Sequence, residues 1–129
     1  MKNRPMQGIK VLEIANWVAA PSCAMMLSDM GAEVFKIEPP EGDALRGILE
    51  SPPIPGAPGN LTFYLDNRGK KSIIIDFTKP HASKAVHKII SQVDILITNL
   101  TDERAKKYHL SFDEVKQIKP DIVINTRRF

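Results

Sequence analysis

Two short basic segments contain the residues whose types suit the binding of an anion. Residues 67–72 (NRGKKS) form a basic turn ahead of an isoleucine-rich segment, and Lys106-Lys107-Tyr108 follows a second apolar segment. Lysine and arginine side chains bind phosphate through charge-assisted hydrogen bonds. Solvated lysines in ordinary surface turns would give the same pattern, and the sequence leaves both interpretations open.

The three histidines and the single cysteine form no recognisable catalytic or metal-binding pattern. His81 and His87 are six residues apart on a predicted helix, a spacing that places them on different faces, and His109 is distant in sequence. We therefore predict solvated histidines and no metal site. No histidine or carboxylate is evident that would activate Cys23, so we predict a packed thiol rather than a nucleophile. One cysteine also excludes an intramolecular disulfide.

The turn between the first predicted strand and helix lacks the glycines of a dinucleotide site. Gly-x-Gly-x-x-Gly at that turn lets the backbone approach a pyrophosphate, whereas residues 15–22 read ANWVAAPS. This difference disfavours a nicotinamide or flavin site. The sequence also contains neither a Walker loop nor an HExxH motif.

Alternating apolar segments predict the elements that position these residues. Short β-type runs alternate with segments of helical spacing, an order typical of a parallel sheet with helices on its faces. The predicted strands are residues 9–14, 33–37, 71–77, 94–98 and 121–125, and the predicted helices are residues 22–30, 81–91 and 111–118. Ser111 and Glu114 have the spacing of a capping box. The isoleucines at 73–75 predict a strand that is covered on both faces.

Residues 41–66 interrupt this alternation, and residues 51–59 within them are predicted to form a loop. Residues 51–59 contain four prolines and two glycines, a composition that disfavours both helix and strand. The loop is too short to be a linker between two domains. We therefore predict one α/β domain that covers residues 1–129.

Length and composition limit the class of protein. The chain has 129 residues, of which 43% are hydrophobic, enough for a single domain with its own core. No apolar stretch approaches the roughly 20 residues that span a bilayer. Glu13 and Asn16 interrupt the N-terminal apolar stretch, which argues against a signal peptide. We expect a cytoplasmic protein without a membrane partner.

Charge is distributed unevenly along the chain. Residues 1–60 carry five Lys/Arg against seven Asp/Glu, and residues 61–129 carry thirteen against eight. The basic second half suits an anionic partner such as a nucleic acid or a phosphorylated small molecule. Tyr64, Tyr108 and Phe129 do not form a stacking series, so we do not expect nucleic acid.

Several motifs occur in a fixed order along the chain. They are residues 8–13 (GIKVLE), 19–21 (AAP), 27–40, 42–46, 67–72, Asp76 and 94–99 (DILITN), ending near Pro120. Together these motifs resemble CoA-transferase family III, the group of formyl-CoA transferase and the carnitine and bile-acid-inducible CoA-transferases. The resemblance covers about residues 8–126, and its specificity lies in the ordered set.

The chain differs from the usual family pattern at three turns. It has Ala20 where the family usually has glycine in Ala-Gly-Pro. Residues 99–103 (NLTDE) replace Asn-Phe-x-Pro-Gly, and residues 126–129 (TRRF) stand where the family has a glycine-rich loop. We therefore expect part of the family's site to be missing at the end of the last predicted strand.

The resemblance implies a Rossmann-like, mostly parallel sheet with flanking helices, as half a domain of a larger two-domain enzyme that forms a homodimer. It implies transfer of coenzyme A between an acyl-CoA donor and a carboxylic acid, with CoA as co-substrate and no metal. The family's catalytic aspartate follows the glycine-rich loop, and no residue of this chain corresponds to it. We expect an N-terminal CoA-binding part that is inactive alone; the alternative is a non-catalytic interaction or regulatory domain that retains the fold.

By position, the resemblance implies CoA contacts at the carboxyl ends of the first four predicted strands. The candidates are Val18, Ala19, Pro39, Ile75, Phe77, Thr78, Asn99, Leu100, Thr101, Lys107 and Tyr108. Ligands of open parallel sheets bind outside these strand ends, and Lys107 would supply charge for a phosphate. Val18 and Ala19 are compatible with lining an adenine or pantetheine slot and equally with simple packing.

Overall fold

Five strands and six helices are present in the computed structural model, which describes residues 4–48 and 60–126. The predicted Pro/Gly loop at 51–59 lies outside these ranges. The strands are β1 (Lys10–Ile14), β2 (Glu33–Glu38), β3 (Lys71–Ile74), β4 (Ile95–Thr98) and β5 (Val123–Thr126). The helices are α1 (Ala19–Asp29), α2 (Ala44–Ile48), α3 (Leu61–Asn67), α4 (Ala82–Ile90), α5 (Asp102–Lys107) and α6 (Phe112–Ile118).

The strands form one parallel sheet in the order β3-β2-β1-β4-β5. This arrangement confirms the predicted α/β class and the predicted parallel sheet with flanking helices. The first strand, β1, lies in the centre of the sheet. β2 and β3 follow on one side of it, and β4 and β5 lie on the other side. The order therefore reverses between β1 and β4, and such a reversal opens a crevice at the carboxyl ends of the strands.

Three helices were missed by the sequence analysis, namely α2, α3 and α5. Helix α2 and most of α3 lie within residues 41–66, where the sequence analysis predicted no helix or strand. These helices are short, and local caps rather than a long apolar stripe define the ends of two of them. The Asn60 side chain accepts hydrogen bonds from the N–H groups of Thr62 and Phe63 at the start of α3. The Thr101 hydroxyl accepts from the Arg104 N–H at the start of α5.

Strand residues alternate between two apolar layers. Leu12 and Ile14 of β1 face a layer completed by α4 and α6, whose buried residues are Val86, Ile90 and Val115. Val11 of β1 faces the opposite layer, where α1 contributes Ala20 and Ala24. The small side chains of α1 let this helix lie close to the sheet.

β3 lies at an edge of the sheet, so the prediction that its isoleucines are covered on both faces was wrong. Ile74 pairs in register with Glu38 and is 68% exposed, whereas Ile73 is half-buried. An apolar run indicates a strand, but it does not reveal where in the sheet the strand lies. The capping box of α6 is confirmed, and the Glu114 carboxylate accepts from the Ser111 N–H at 3.0 Å.

A buried ionic network lies on the α1 side of the sheet. Glu13 of β1 and Lys36 of β2 are paired in register, and Lys36 Nζ lies 2.6 Å from Glu13 Oε1. Lys36 Nζ also lies 2.7 Å from Asp43 Oδ2. Lys70 Nζ is 2.7 Å from Glu13 Oε2. All four side chains are at most 2% exposed. Two ammonium groups thus face two carboxylates, and the buried group of charges is neutral as a whole.

The two lysines of this network also bind the backbone. Lys36 Nζ donates to the Ala15 carbonyl, and Lys70 Nζ donates to the Pro21 carbonyl, each at 2.8 Å. Burial lowers the pKa of Lys70, and the charge of Glu13 opposes that shift. The network therefore joins β2 and the turn before β3 to β1, to the residue that follows β1 and to the first turn of α1.

Glu38, at the end of β2, holds the segment that leads into α2. Its carboxylate accepts from Arg46 Nε at 2.7 Å, from Arg46 Nη2 and from the Asp43 N–H, and also from the Ser72 hydroxyl. Burial alone would raise the pKa of Glu38, but the hydrogen bonds from Arg46, Ser72 and Asp43 outweigh it and lower the pKa to about 2.

No helix within residues 4–48 and 60–126 combines the length and the apolar character that a membrane crossing requires.

Replacement of Lys36 by methionine should lower the free energy of unfolding by about 3–5 kcal/mol. Asp43 would lose its cation and Glu13 one of two, while both carboxylates stayed buried. Lys71→Met is the matched control, because Lys71 pairs with Glu33 at the surface and such pairs contribute about 0–1 kcal/mol. Urea unfolding followed by circular dichroism measures both. Equal losses in the two variants would contradict a special role of the network.

Glu38→Gln should make the free energy of unfolding depend less on pH in the acidic range. The folded pKa of Glu38 lies near 2, below its ordinary value of 4.5. Ionised Glu38 therefore stabilises the fold above pH 4.5, and this contribution is lost as the pH falls towards 2. The difference in unfolding free energy between wild type and variant should shrink between pH 5 and pH 2.5. A difference that stays constant over urea titrations at pH 7, 4 and 2.5 would disprove the assignment.

Candidate functional site

A cavity of about 230 Å³ lies at the carboxyl ends of β1, β2 and β4. This is the crevice predicted from the reversal of strand order between β1 and β4. Its walls come from the strand ends, from the segment after β3 and from α5. The lining residues are Ile14, Ala15, Asn16, Ile37, Pro39, Phe77, Leu100, Arg104 and Tyr108.

The turn after β1 is held in place by Asn99, which follows β4. The Asn99 side chain donates to the Asn16 carbonyl at 2.8 Å and accepts from the Asn16 N–H at 3.2 Å. Thr98 adds a hydrogen bond from its hydroxyl to the Ile14 carbonyl at 2.9 Å. Residues after β4 thus determine the backbone path after β1, which forms one wall of the cavity.

Trp17 follows Asn16 in the turn that Asn99 holds, and its backbone φ is 71°. The left-handed region costs a residue with a side chain about 1–2 kcal/mol, and a bulky residue there is uncommon. Only one other non-glycine residue among 4–48 and 60–126, His109, has a positive φ. Trp17 is 49% exposed. The sequence analysis did not single out Trp17, because no local pattern signals a positive φ at tryptophan.

An aromatic pair forms another wall of the cavity. The rings of Phe77 and Tyr108 are stacked, with centroids 4.3 Å apart and planes inclined by 23°. Tyr108 is the C-cap of α5, and Arg104 lies four residues earlier on the same face of that helix. Arg104 lines the cavity and has no ion-pair partner among the described residues.

The cavity carries positive rather than negative charge. Arg104 is the charged residue of its lining, and no acidic residue lines it within the described parts of the chain. Lys107 is exposed and lies three residues after Arg104, so the two cations share one side of α5. The site therefore suits an anionic ligand with an aromatic or apolar portion.

The segment after β3 is ordered by its own hydrogen bonds. The N–H and hydroxyl groups of Thr78 both donate to Asp76 Oδ1, at 2.9 and 2.6 Å. These hydrogen bonds lower the pKa of the Asp76 carboxyl. Thr78 is exposed, and its hydroxyl is engaged with Asp76 rather than directed freely at a ligand.

The cavity brings together Pro39, Phe77, Leu100 and Tyr108 from the residues that the sequence analysis selected. The others lie outside its lining. Five of them are exposed, namely Val18, Ala19, Thr78, Thr101 and Lys107. Ile75 is partly buried and packs against the core. Asn99 hydrogen-bonds to the backbone of Asn16 in the turn after β1. Contact with CoA stays a prediction for every one of these residues.

Arg104 is the lining residue of greatest chemical interest that the sequence analysis missed. Arg104 and Tyr108 are four residues apart, a spacing that places them on the same face only if this segment is a helix. The signals for that helix were present, since Thr101 is a good N-cap and Asp102 and Glu103 follow it in the first turn. Ile14, Ala15, Asn16 and Ile37 were also missed, because they were read simply as strand and turn residues.

Within residues 4–48 and 60–126, no group of three or more histidine, cysteine, aspartate or glutamate side chains is arranged to hold a metal ion.

Comparison with known proteins gives consistent matches along the chain. The family model described as CoA-transferase family III matches residues 6–127. The (R)-2-hydroxy-4-methylpentanoate CoA-transferase of Clostridioides difficile is 37% identical over 123 residues, which cover 93% of this chain and 30% of that protein. The cinnamoyl-CoA:phenyllactate CoA-transferase of Clostridium sporogenes is 37% identical over 117 residues, which cover 90% and 28%.

Solved structures show the same fold. The crystal structure of a CAIB/BAIF family protein from Brucella suis superposes with a TM-score of 0.87 and 34% sequence identity, covering 97% of this chain and 33% of that one. The chain thus spans about a third of the length of the relatives it matches. Because the family model matches nearly every residue and the fold agrees, the chain belongs to CoA-transferase family III.

Proposed function

We propose that this chain is the CoA-binding part of an enzyme that transfers coenzyme A between an acyl-CoA donor and a carboxylic acid. The observation that carries the proposal is the cavity at the carboxyl ends of the strands, in a chain of this family. This cavity has an aromatic wall and an arginine that forms no ion pair with any described residue. A cytoplasmic homodimer and a catalytic carboxylate outside the residues of this chain belong to the same proposal.

The aromatic wall suits the nucleotide end of CoA. Adenine presents a flat ring, and such rings stack on aromatic side chains with a favourable free energy of about 1–3 kcal/mol. Phe77 and Tyr108 already form a stacked pair, and both residues line the cavity. The cavity is smaller than the roughly 300–1,000 Å³ of sites for drug-sized ligands. It would therefore hold one part of CoA, while the rest lies along the exposed strand ends.

The cations of α5 suit the phosphates. A guanidinium group donates two parallel hydrogen bonds to a phosphate, and an ammonium group acts as a compact charge. Arg104 and Lys107 lie on one side of α5, next to the aromatic wall. Phosphates bound there would be adjacent to a stacked adenine, as the covalent structure of CoA requires.

The turn after β1 suits the uncharged arm of CoA. Residues 15–22 include no charged side chain, and Val18 and Ala19 are exposed at the start of α1. Asn99 holds the backbone of this turn from the neighbouring strand. A pantetheine arm that leaves the phosphates would pass over this turn.

Three buried carboxylates of this chain are unsuited to nucleophilic attack on a thioester. Glu13 and Asp43 are paired with lysines inside the protein, and Glu38 is held by Arg46. A nucleophile must reach the substrate, whereas these groups bind other parts of the fold. This supports the proposal that the reacting carboxylate is supplied from outside these residues.

Arg104→Ala and Lys107→Ala should each weaken CoA binding by about 10-fold, near the lower end of the effect of a charge-assisted hydrogen bond because both groups are exposed. Added salt should weaken wild-type binding as well. Lys88→Ala is the control, because Lys88 is exposed in the last turn of α4, which leads to the amino end of β4. Isothermal titration calorimetry with CoA measures all three.

Equal losses in the three variants, or no loss in Arg104→Ala and Lys107→Ala while CoA binds, would show that the phosphates lie elsewhere. Absence of CoA binding by the wild-type chain would favour the alternative of a non-catalytic interaction domain.

The 129-residue chain should show no acyl transfer on its own. No residue of this chain corresponds to the catalytic aspartate that the family resemblance implies, and without that nucleophile the acyl anhydride and the enzyme thioester cannot form. Incubation with an acyl-CoA and several carboxylic acids, followed by mass spectrometry of the CoA esters, tests this. Turnover that is abolished by replacing a carboxylate of this chain would contradict the prediction.

A further inference from the structure

The only tryptophan of the sequence occupies an unusual backbone position beside the candidate site. Trp17 has a φ of 71°, whereas Gly8, Gly31, Gly42 and Gly69 occupy other turns with positive φ. Glycine adopts such a conformation without steric cost, and a bulky residue does not. Strained residues of this kind concentrate at functional sites, where the surroundings hold them in place.

The surroundings of Trp17 hold its backbone but leave its side chain open. The two hydrogen bonds between the Asn99 side chain and the Asn16 backbone fix the residue that precedes Trp17. Ala15 and Asn16 line the cavity, while Trp17 is 49% exposed. Its indole N–H has no hydrogen-bond partner within residues 4–48 and 60–126. No hydrogen bond or aromatic-ring contact in that part of the chain therefore explains why tryptophan stands here.

His109, which also has a positive φ, provides a contrast. Its ring nitrogen Nδ1 lies 3.1 Å from Glu114 Oε1, and its carbonyl oxygen lies 2.7 Å from His87 Nε2. Local contacts thus account for the backbone of His109. Histidine is also one of the residues that adopt the left-handed region more readily.

The position of Trp17 in the fold places it on the side of the site that is opposite to the proposed nucleotide end of the ligand. Phe77 and Tyr108 pack against the layer formed by α4 and α6, and α1 packs against the opposite layer. Trp17 lies between the end of β1 and the start of α1. A CoA thioester with its nucleotide at Phe77 and Tyr108 would cross the strand ends and place its far, uncharged end near α1. That far end carries the acyl group.

We propose that Trp17 contacts the acyl group of the bound thioester and favours aromatic or branched acyl chains. The proposal rests on the proposed function, because it assumes that CoA binds along the strand ends. Asn99 is the positioning residue, since its side chain holds the turn that presents the indole ring. The flat face of an indole adds favourable contacts with a ring or a branched chain beyond simple burial.

Trp17 also provides the measurement, because its fluorescence is the only tryptophan signal of the chain. We would titrate the 129-residue chain with benzoyl-CoA and, separately, with free CoA. Benzoyl-CoA should shift the emission and protect Trp17 from quenching by acrylamide, because the phenyl ring would cover the indole. Free CoA has the same nucleotide and pantetheine but no acyl group, and it should protect Trp17 much less.

Variants separate the acyl contact from a structural role. Trp17→Ala should weaken binding of benzoyl-CoA about 5- to 10-fold and that of free CoA less than twofold, as measured by calorimetry. Trp17→Phe should restore most of the lost affinity, because it keeps an aromatic face. His109→Ala is the matched control at the other positive-φ position, and it should leave the ratio of the two affinities unchanged.

The outcomes distinguish this inference from the proposed function. Protection by benzoyl-CoA with a selective loss in Trp17→Ala supports it. Equal losses for the two ligands, or CoA binding without protection of Trp17 by benzoyl-CoA, overturn the acyl contact and leave CoA binding intact. If neither ligand binds the wild-type chain, the proposed function fails, and the acyl contact fails with it.

Discussion

Burial of four charged side chains on one face of the sheet is the constraint on which the site depends. An isolated charge in such an environment costs several kcal/mol, so Glu13, Lys36, Asp43 and Lys70 can be buried only together. They come from two strands, the segment after β2 and the turn before β3. Their pairing therefore requires these segments to meet, and the carbonyl of Ala15 is drawn into the same network.

The buried ionic network also helps to set the backbone positions around the candidate site. The network and the Asn99 side chain hold the turn after β1 from two sides, and Glu38 holds the segment after β2 through Arg46. Carboxylates are thus engaged in positioning these segments, while the described lining of the cavity has Arg104 as its charged group. The positive charge at the carboxyl ends of the strands therefore comes from Arg104, and it is suitable for a phosphorylated ligand.

Much of the fold was readable from local patterns. Apolar runs such as residues 94–98 indicated strands, and the spacing of Ser111 and Glu114 indicated the start of α6. The alternation of strands and helices indicated a parallel sheet. The short helices α2, α3 and α5 escaped notice, because a helix of five to seven residues has too few turns to show an apolar stripe.

The sequence by itself determined the α/β class, the parallel sheet, the family and four lining residues, including Phe77 and Tyr108. These depend on residue types and short spacings along the chain. Tertiary structure alone decided that Ile74 is exposed at a sheet edge, that Arg104 faces the cavity and that Trp17 adopts a positive φ. The physical reason is that each of these properties is set by neighbours distant in sequence or by a helix that no local pattern revealed, such as Asn99 across the strand ends from Trp17.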